Sequence, residues 1–276
     1  MSTEYKICIF ESEGNPTLAS LAKGIAKHDQ VKVYKQAGDL QGCDVAVCWS
    51  MKKRGFIAEA KKLNIPLLIA ECGYLGDRGK NDRSLGWNGI NGDADFCNQD
   101  VPNDRAQRWL PQMKPWKKRG DYILLCGQVI GDYSLLRLHQ KLHVFYSMVY
   151  KQLLKEYKIP VIFRSHPLWD CTQLPEWVVK SKNKTIEEDL ENAWMTVAWS
   201  SNSLVDSIMS GTPTLALDPM SMVWDISIHN IGKTPRLPDR QEWLNKLSYC
   251  QWTLEEFESG KAWLHVRKYL ERTENG

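Results

Sequence analysis

The stretch from residue 195 to residue 217 limits the fold of this chain more than any other. An apolar run at 195–199, patterned as a buried strand, leads directly into the small polar residues Ser200, Ser201, Asn202 and Ser203. A helical pattern follows with Asp206 in its first turn, and Gly211 and Pro213 return the chain into a second apolar run at 214–217. Strand, helix and strand in this order predict a parallel pair joined by a crossover. A strand that feeds straight into a helix start leaves several backbone N–H groups unpaired and aimed at one point, which favours a phosphate or another anion there.

The same rhythm runs through both halves. Residues 5–10 read as a strand, and Asn15-Pro16 is a cap and first-turn pair for a helix to about Lys27. Strand runs at 31–35 and 44–49, a helix at 53–63 and a short buried strand at 66–70 complete the pattern of a parallel sheet covered by helices. Residues 71–119 lack clear periodicity and are rich in Gly, Asn, Asp, Arg and Trp, which marks a long functional loop region. Regular structure resumes with a strand at 122–126, a loop from Gly127 to Ser134, a long amphipathic helix to about Tyr157 and a strand at 161–164. Thr185-x-x-Glu188 and Thr253-x-x-Glu256 are capping-box patterns, the second opening a last helix to about Glu271. The fold class expected is α/β with two Rossmann-like domains, at 1–118 and 119–250, and a C-terminal helix within 251–276.

Composition excludes little by charge, since 36 basic side chains face 33 acidic ones in 276 residues. The 8 cysteines are scattered, form no Cys-x-x-Cys pair and fall mostly in strand runs, so buried reduced thiols in a cytoplasmic protein are expected rather than disulfides or a metal site. No window approaches the roughly 20 apolar residues of a membrane span, and no membrane partner is expected. The 12 tryptophans suit core anchors or stacking platforms.

Ligands of parallel sheets bind beyond the carboxyl ends of the strands, where three polar loops of the second half emerge. In Arg164-Ser165-His166-Pro167 the proline fixes a turn directly after a strand, so that the imidazole projects from the rim and can donate to a phosphate. Its plainer role is a bond to a nearby carbonyl. Ser200, Ser201 and Ser203 can donate hydroxyls to the same anion or cap the helix, as Ser203-x-x-Asp206 fits a capping box. Asp206 fits a ribose ligand or a capping residue equally. Gly127, Gln128, Gly131, Asp132 and Ser134 stand between strand and helix, where glycine lets backbone approach a phosphate.

In the first half, Glu71 and Asp77 follow a buried strand and are candidates for a general base, against the plainer reading of Asp- and Gly-rich turns. Arg78, Arg83, Trp87 and Asn88 in the same segment are expected to meet an acceptor. Arg105, Arg108, Lys114, Lys117, Lys118 and Arg119 are interleaved with Trp109 and Trp116, a pattern that suits either a nucleic-acid backbone or a solvated linker.

The order Gly127-Gln128-x-x-Gly131-Asp132, strand-His166-Pro167, Ser200-Ser201-x-Ser203 and Asp206-x-x-x-x-Gly211-x-Pro213 resembles the nucleotide-sugar half of GT-B glycosyltransferases, whose two Rossmann-like domains face each other across a cleft. The His-Pro and Ser motifs are most similar to those of bacterial capsule enzymes, the Kdo transferases and polysialyltransferases. Glu71-x-Gly73-Tyr74-Leu75 is similar to an acid-Gly-Phe segment of the Kdo transferases' acceptor half. The resemblance covers about residues 121–218. It implies metal-independent, cofactor-free sugar transfer from a nucleotide-sugar to an acceptor hydroxyl, with His166, Ser200 and Ser201 on the nucleotide phosphate. Gly127, Gln128, Asp132, Ser134, Arg164, Pro167, Ser203 and Asp206 complete the expected donor site. Glu71 or Asp77 would be the base if the anomeric centre inverts.

Residues 75–92 also look like segments of bacteriophage proteins, and the T-even phage DNA glycosyltransferases share this architecture. A hydroxylated or hydroxymethylated base in DNA is accordingly one expected acceptor, in the host cytoplasm. A surface polysaccharide glycosyltransferase, a nucleotide-sugar epimerase and a non-catalytic module for nucleotide or nucleic acid are the alternatives.

Overall fold

A computed structural model describes residues 4–11, 14–34, 40–169 and 171–274. The chain divides into two compact units, one made of Met1–Pro102 with Asn245–Gly276 and the other of Asn103–Leu244. This division differs from the boundaries expected at 118 and 250, because residues 103–118 join the second unit and the chain after Leu244 returns to the first.

In the first unit, β1 (Lys6–Phe10), α1 (Pro16–Ile25), β2 (Gln30–Tyr34), β3 (Val45–Trp49), α2 (Arg54–Lys62) and β4 (Leu67–Cys72) follow the rhythm read from sequence. Lys35, expected at the end of the second strand, lies outside the described residues. The Asn15 side chain accepts from Thr17 N–H at 2.9 Å and caps α1. β1 to β4 pair in parallel, with Ile7, Ile9, Val45, Val47 and Leu68 buried in one core. The region expected as loop contributes a further strand, β5 (Arg83–Trp87), antiparallel to β4. Its five residues are all buried, so it shows no alternation to read.

The returning segment supplies β10 (Gln251–Trp252), antiparallel to β5, and closes the six-stranded order β10-β5-β4-β3-β1-β2. The Thr253–Glu256 capping box is present, yet the single helix expected after it is three short ones, α7 (Leu254–Ser259), α8 (Lys261–Val266) and α9 (Lys268–Glu274). Gly260, at φ +87°, breaks the first from the second. Asp29 fastens this return: its carboxylate accepts from Tyr5 N–H at 2.8 Å, Trp263 Nε1 at 2.7 Å and Arg267 Nε at 3.0 Å.

The second unit holds β6 (Tyr122–Cys126), α3 (Leu142–Tyr157), β7 (Val161–Arg164), α4 (Ile186–Asn192), β8 (Ala193–Ala198), α5 (Ser203–Met209) and β9 (Thr214–Ala216). Its four strands are parallel in the order β7-β6-β8-β9. Ile123, Leu125, Phe163, Met195 and Val197 pack with Phe145, Tyr146 and Val149 of α3. α6 (Gln241–Ser248) carries the chain across the division.

One cysteine expectation is corrected: Cys8 of β1 and Cys43, just before β3, form a disulfide. Scattered spacing cannot reveal it, because the pairing is made by adjacent strands. Cys48, Cys97, Cys126 and Cys250 are free and buried, while Cys72 is free and exposed. Burial pushes the Cys48 and Cys126 thiols up to about 12. Among the described residues, no helix is long and apolar enough to cross a membrane, and no cluster of three or more His, Cys, Asp or Glu gathers to hold a metal.

Candidate functional site

The second unit's candidate site begins at the carboxyl ends of β6, β7 and β8. Cys126 pairs with Arg164 on one side and with Ala198 on the other, so the loops after all three strands leave the sheet at one edge. At roughly 4.8 Å per strand, the loops after β7 and β8 are about 10 Å apart, with the loop after β6 between them. That places His166 and the Ser200–Ser203 run on either side of Gly127–Ser134.

A buried hydrogen-bonded strap joins two of these loops. Gln128 is 3% exposed and Ser134 is 1% exposed. Gln128 Nε2 donates to Ser134 Oγ at 2.8 Å and to Ser200 Oγ at 3.4 Å, and Gln128 Oε1 accepts from Ser200 N–H at 2.9 Å. Asp132 Oδ1 in turn accepts from both Ser134 N–H and Ser134 Oγ, each at 2.9 Å. Gln128 and Ser134 were expected to touch the ligand. Their polar atoms instead hold the loop after β6 against the loop after β8.

His166 follows β7 as expected, and its tautomer is set by the turn. Leu168 N–H donates to His166 Nδ1 at 3.1 Å, which leaves the proton of the neutral ring on Nε2. Burial lowers the pKa of His166, and the Asp132 charge raises it by less, so the neutral Nε2–H donor is favoured. Asp132 thus serves both the strap and the imidazole. Pro167 is exposed in the same turn.

The serines are arranged as a small relay at the start of α5. Ser201 Oγ accepts from Ser203 N–H at 3.3 Å and from Ser203 Oγ at 3.0 Å. The expected Ser203–Asp206 capping box is absent, since the N-cap is Asn202 and makes no side-chain cap bond. α5 has only 7 residues, so this edge has hydroxyls rather than a long helix's dipole to offer an anion. Asp206 lies half-buried in its first turn.

Other nominated residues have structural duties. An added Cβ on Gly127 would meet Phe163 Cζ at 2.8 Å and Trp169 Cζ3 at 3.0 Å, so the glycine admits two core rings rather than a phosphate. Arg164 forms a salt bridge with the buried Asp189 and donates to the carbonyls of Asn183 at 3.3 Å and Lys184 at 3.1 Å. In the linker, Lys117 Nζ donates to the carbonyls of Leu190 and Glu191, capping the end of α4. Trp116 Nε1 donates to Pro238 O at 2.8 Å beneath the Arg240 guanidinium, 4.2 Å from its ring. Arg108 lies 4.3 Å over Trp109.

Sequence reasoning missed the loop after β9. Asp218 is buried, accepts from Met220 N–H at 2.8 Å and meets Arg137 at 3.7 Å. Asp218 N–H donates to Trp199 O at 3.1 Å, and Trp199 Nε1 donates to Ser134 O at 3.0 Å, which ties this loop to the same edge. The signal available was position alone, directly past the 214–217 run.

In the first unit, Glu71 sits half-buried near the carboxyl end of β4 and accepts from Cys72 N–H at 3.1 Å. The loop beyond it is held from a distance: Gln251 Oε1 accepts from Tyr74 N–H at 2.7 Å and from Leu75 N–H at 2.8 Å. Asp77 is exposed, its N–H donating to Asp82 Oδ2 at 2.9 Å. Three of the four residues expected at an acceptor have other roles. Arg83 is buried and donates to Arg78 O at 2.7 Å, Gly79 O at 2.8 Å and Thr17 Oγ1 at 3.1 Å, organising the loop from within. Trp87 is fully buried, donates to Val266 O at 2.8 Å and stacks on Tyr269. Asn88 closes a turn by accepting from Leu67 N–H at 3.0 Å, at the opposite end of β4 from Glu71. Arg78 lends its carbonyl to Arg83 and lies half-buried.

Two Rossmann-like units of parallel strands and covering helices, the first extended by antiparallel β5 and β10, define the fold class as GT-B. Among solved structures, the chain is similar to the beta Kdo 2,4 transferase of Thermosulfurimonas dismutans KpsC, with TM-score 0.64 at 15% identity over 93% of this chain and 99% of that one. The beta Kdo 2,7 transferase of the same KpsC gives TM-score 0.58 at 12% identity, again over 93% and 99%. The likeness to capsule Kdo transferases read from the motifs therefore holds at the level of the fold. No protein-family model and no curated protein sequence matches the chain.

Proposed function

We propose that this chain is a glycosyltransferase that moves a sugar from a nucleotide-sugar to a hydroxyl group of a saccharide acceptor. The observation that carries the reading is the set of donors at one sheet edge: His166 Nε2–H, fixed by the Leu168 bond to Nδ1, and the mutually bonded Ser201–Ser203 hydroxyls, next to Ser200, which the Gln128 strap holds. In the reaction the anomeric C–O bond to the phosphate breaks, and the nucleotide leaves with the electron pair. His166 and the serines donate hydrogen bonds to the phosphate oxygens as this charge builds. The acceptor oxygen forms the new bond to the anomeric carbon, and its proton passes to a carboxylate, for which Glu71 is our assignment in an inverting reaction. Asp77 is the second candidate.

A saccharide acceptor is favoured over a DNA base. The residues that suggested DNA have other partners, with Trp87 in the core, Trp116 under Arg240 and Lys117 on the end of α4. The fold shared with Kdo transferases supports the same choice.

The test is incubation of the protein with UDP-, GDP-, CMP- and dTDP-sugars, with and without capsule-type oligosaccharides, followed by mass spectrometry. One donor should add one sugar mass to an oligosaccharide. A rearranged nucleotide-sugar formed without acceptor would instead identify an epimerase, and sugar added to hydroxymethylated DNA alone would reject the saccharide acceptor.

A further inference from the structure

Exposed apolar side chains gather on one flank of the second unit, away from the residues assigned above. Val144 and Met148 of α3 are one turn apart and 40% and 58% exposed, while Trp177 and Val179 are 44% and 58% exposed. Met148 precedes Lys151 by one turn of α3, and Trp177 and Val179 meet Tyr150 and Lys151. Val179 N–H donates to Tyr150 Oη at 3.1 Å, the Tyr150 and Trp177 rings are 5.8 Å apart, and Lys151 Nζ stands 4.7 Å over the Trp177 ring. Lys151 and Lys155 continue the Val144–Met148 line along the helix and are exposed.

Along the sequence, residues 134–184 carry nine Lys or Arg against three Asp or Glu; Arg137 and Arg164 pair with Asp218 and Asp189, while Lys151 and Lys155 lie exposed beside the apolar strip. An apolar strip rimmed by lysines, with an indole at its edge, matches the boundary between anionic headgroups and acyl chains. Aliphatic Val144, Met148 and Val179 have no π-face to offer a nucleic-acid base, whereas a lipid interface buries them and lets the lysine stems reach the headgroups.

We infer that this flank of α3, with Trp177 and Val179, docks on the surface of an anionic lipid bilayer. No spanning helix is needed, so the absence of a long apolar run does not bear on it. The inference is independent of the glycosyltransferase reading.

The full chain is sedimented with vesicles of phosphatidylcholine alone and with vesicles containing 30% phosphatidylglycerol. Binding is expected to the second only and to weaken with added salt. K151E should lower the partition coefficient by at least about fivefold, as removal of one surface cation does, and M148D should lower it further. Both positions are exposed, and an unchanged melting temperature in each variant checks the fold. Equal wild-type partition to both vesicles, no partition to either, or variants that bind like wild type would overturn the inference. So would a concentration-dependent dimer that the same variants disrupt while vesicles fail to bind.

Discussion

At the scale of single residues, the proposed chemistry rests most on His166. Its Nδ1 accepts from Leu168 N–H and its Nε2 is left as a donor, so two substitutions separate fold from function. H166N keeps an acceptor near the Nδ1 position and lacks the distal donor. It should lose turnover by about 100-fold, the scale of removing one donor to a developing oxyanion, with melting temperature preserved. H166Q, which reaches as far as Nε2, should recover part of the rate. The lowered pKa of His166 also has a signed effect on stability. The unfolded chain protonates this residue at an ordinary histidine pKa and the folded chain only at lower pH. Stability is therefore fully present above the unfolded value and falls as pH drops toward the folded one. Urea denaturation at pH 7.5 and 5.5 should show a smaller acid-side loss in H166N than in wild type, and equal losses would contradict the assignment.

At the scale of elements, Gln128 bonds the loop after β6 to the loop after β8. Q128A leaves the buried Ser200 N–H without its partner, which costs about 1–3 kcal/mol on top of any effect on turnover. Denaturant titration checks the stability term, and a change below a few tenths of a kcal/mol would show that the strap is not needed. Elements with periodic patterns were legible from the sequence: β1, α1, β3, α2, β6 and β8 all lie close to their expected positions, and α3 ends at Tyr157 as expected but begins only at Leu142 rather than just after Ser134. β5 was not, since a strand buried on both faces carries no alternation, and Gly86 within it reads as loop. The helix expected after Thr253 was read as continuous because its apolar pattern survives the break at Gly260.

At the scale of the whole molecule, contacts distant in sequence decide what local patterns cannot show. Asp29 lies over 230 residues from Trp263 and Arg267, yet it fastens the returning segment to the β1 end of the first unit. D29A would leave the Arg267 guanidinium with the half-exposed Glu271 at 3.2 Å as its carboxylate partner and is expected to destabilise the protein by about 3 kcal/mol, the lower end for a broken buried pair. Thermal and urea unfolding measure it, and a loss under 1 kcal/mol would mean the return is held by its apolar packing alone. The Cys8–Cys43 pairing and the structural roles of Arg83, Arg164, Trp87 and Lys117 were hidden for the same reason. Side-chain type and local spacing suggested ligand contacts, while the fold supplied protein partners from elsewhere in the chain. The positions of His166 and the serine run just past β7 and β8 were legible because turn chemistry and strand ends are local.

The most direct measurement of the central claim is calorimetric titration of wild type and H166N with the four nucleotide-sugar classes, with thermal shift as a second readout. Saturable binding of at least one nucleotide-sugar to wild type, raising its melting temperature, and at least tenfold weaker binding to a folded H166N are the predicted results. Failure of every nucleotide-sugar to bind wild type, or equal affinity in both proteins, would contradict the assignment of this sheet edge to a donor phosphate.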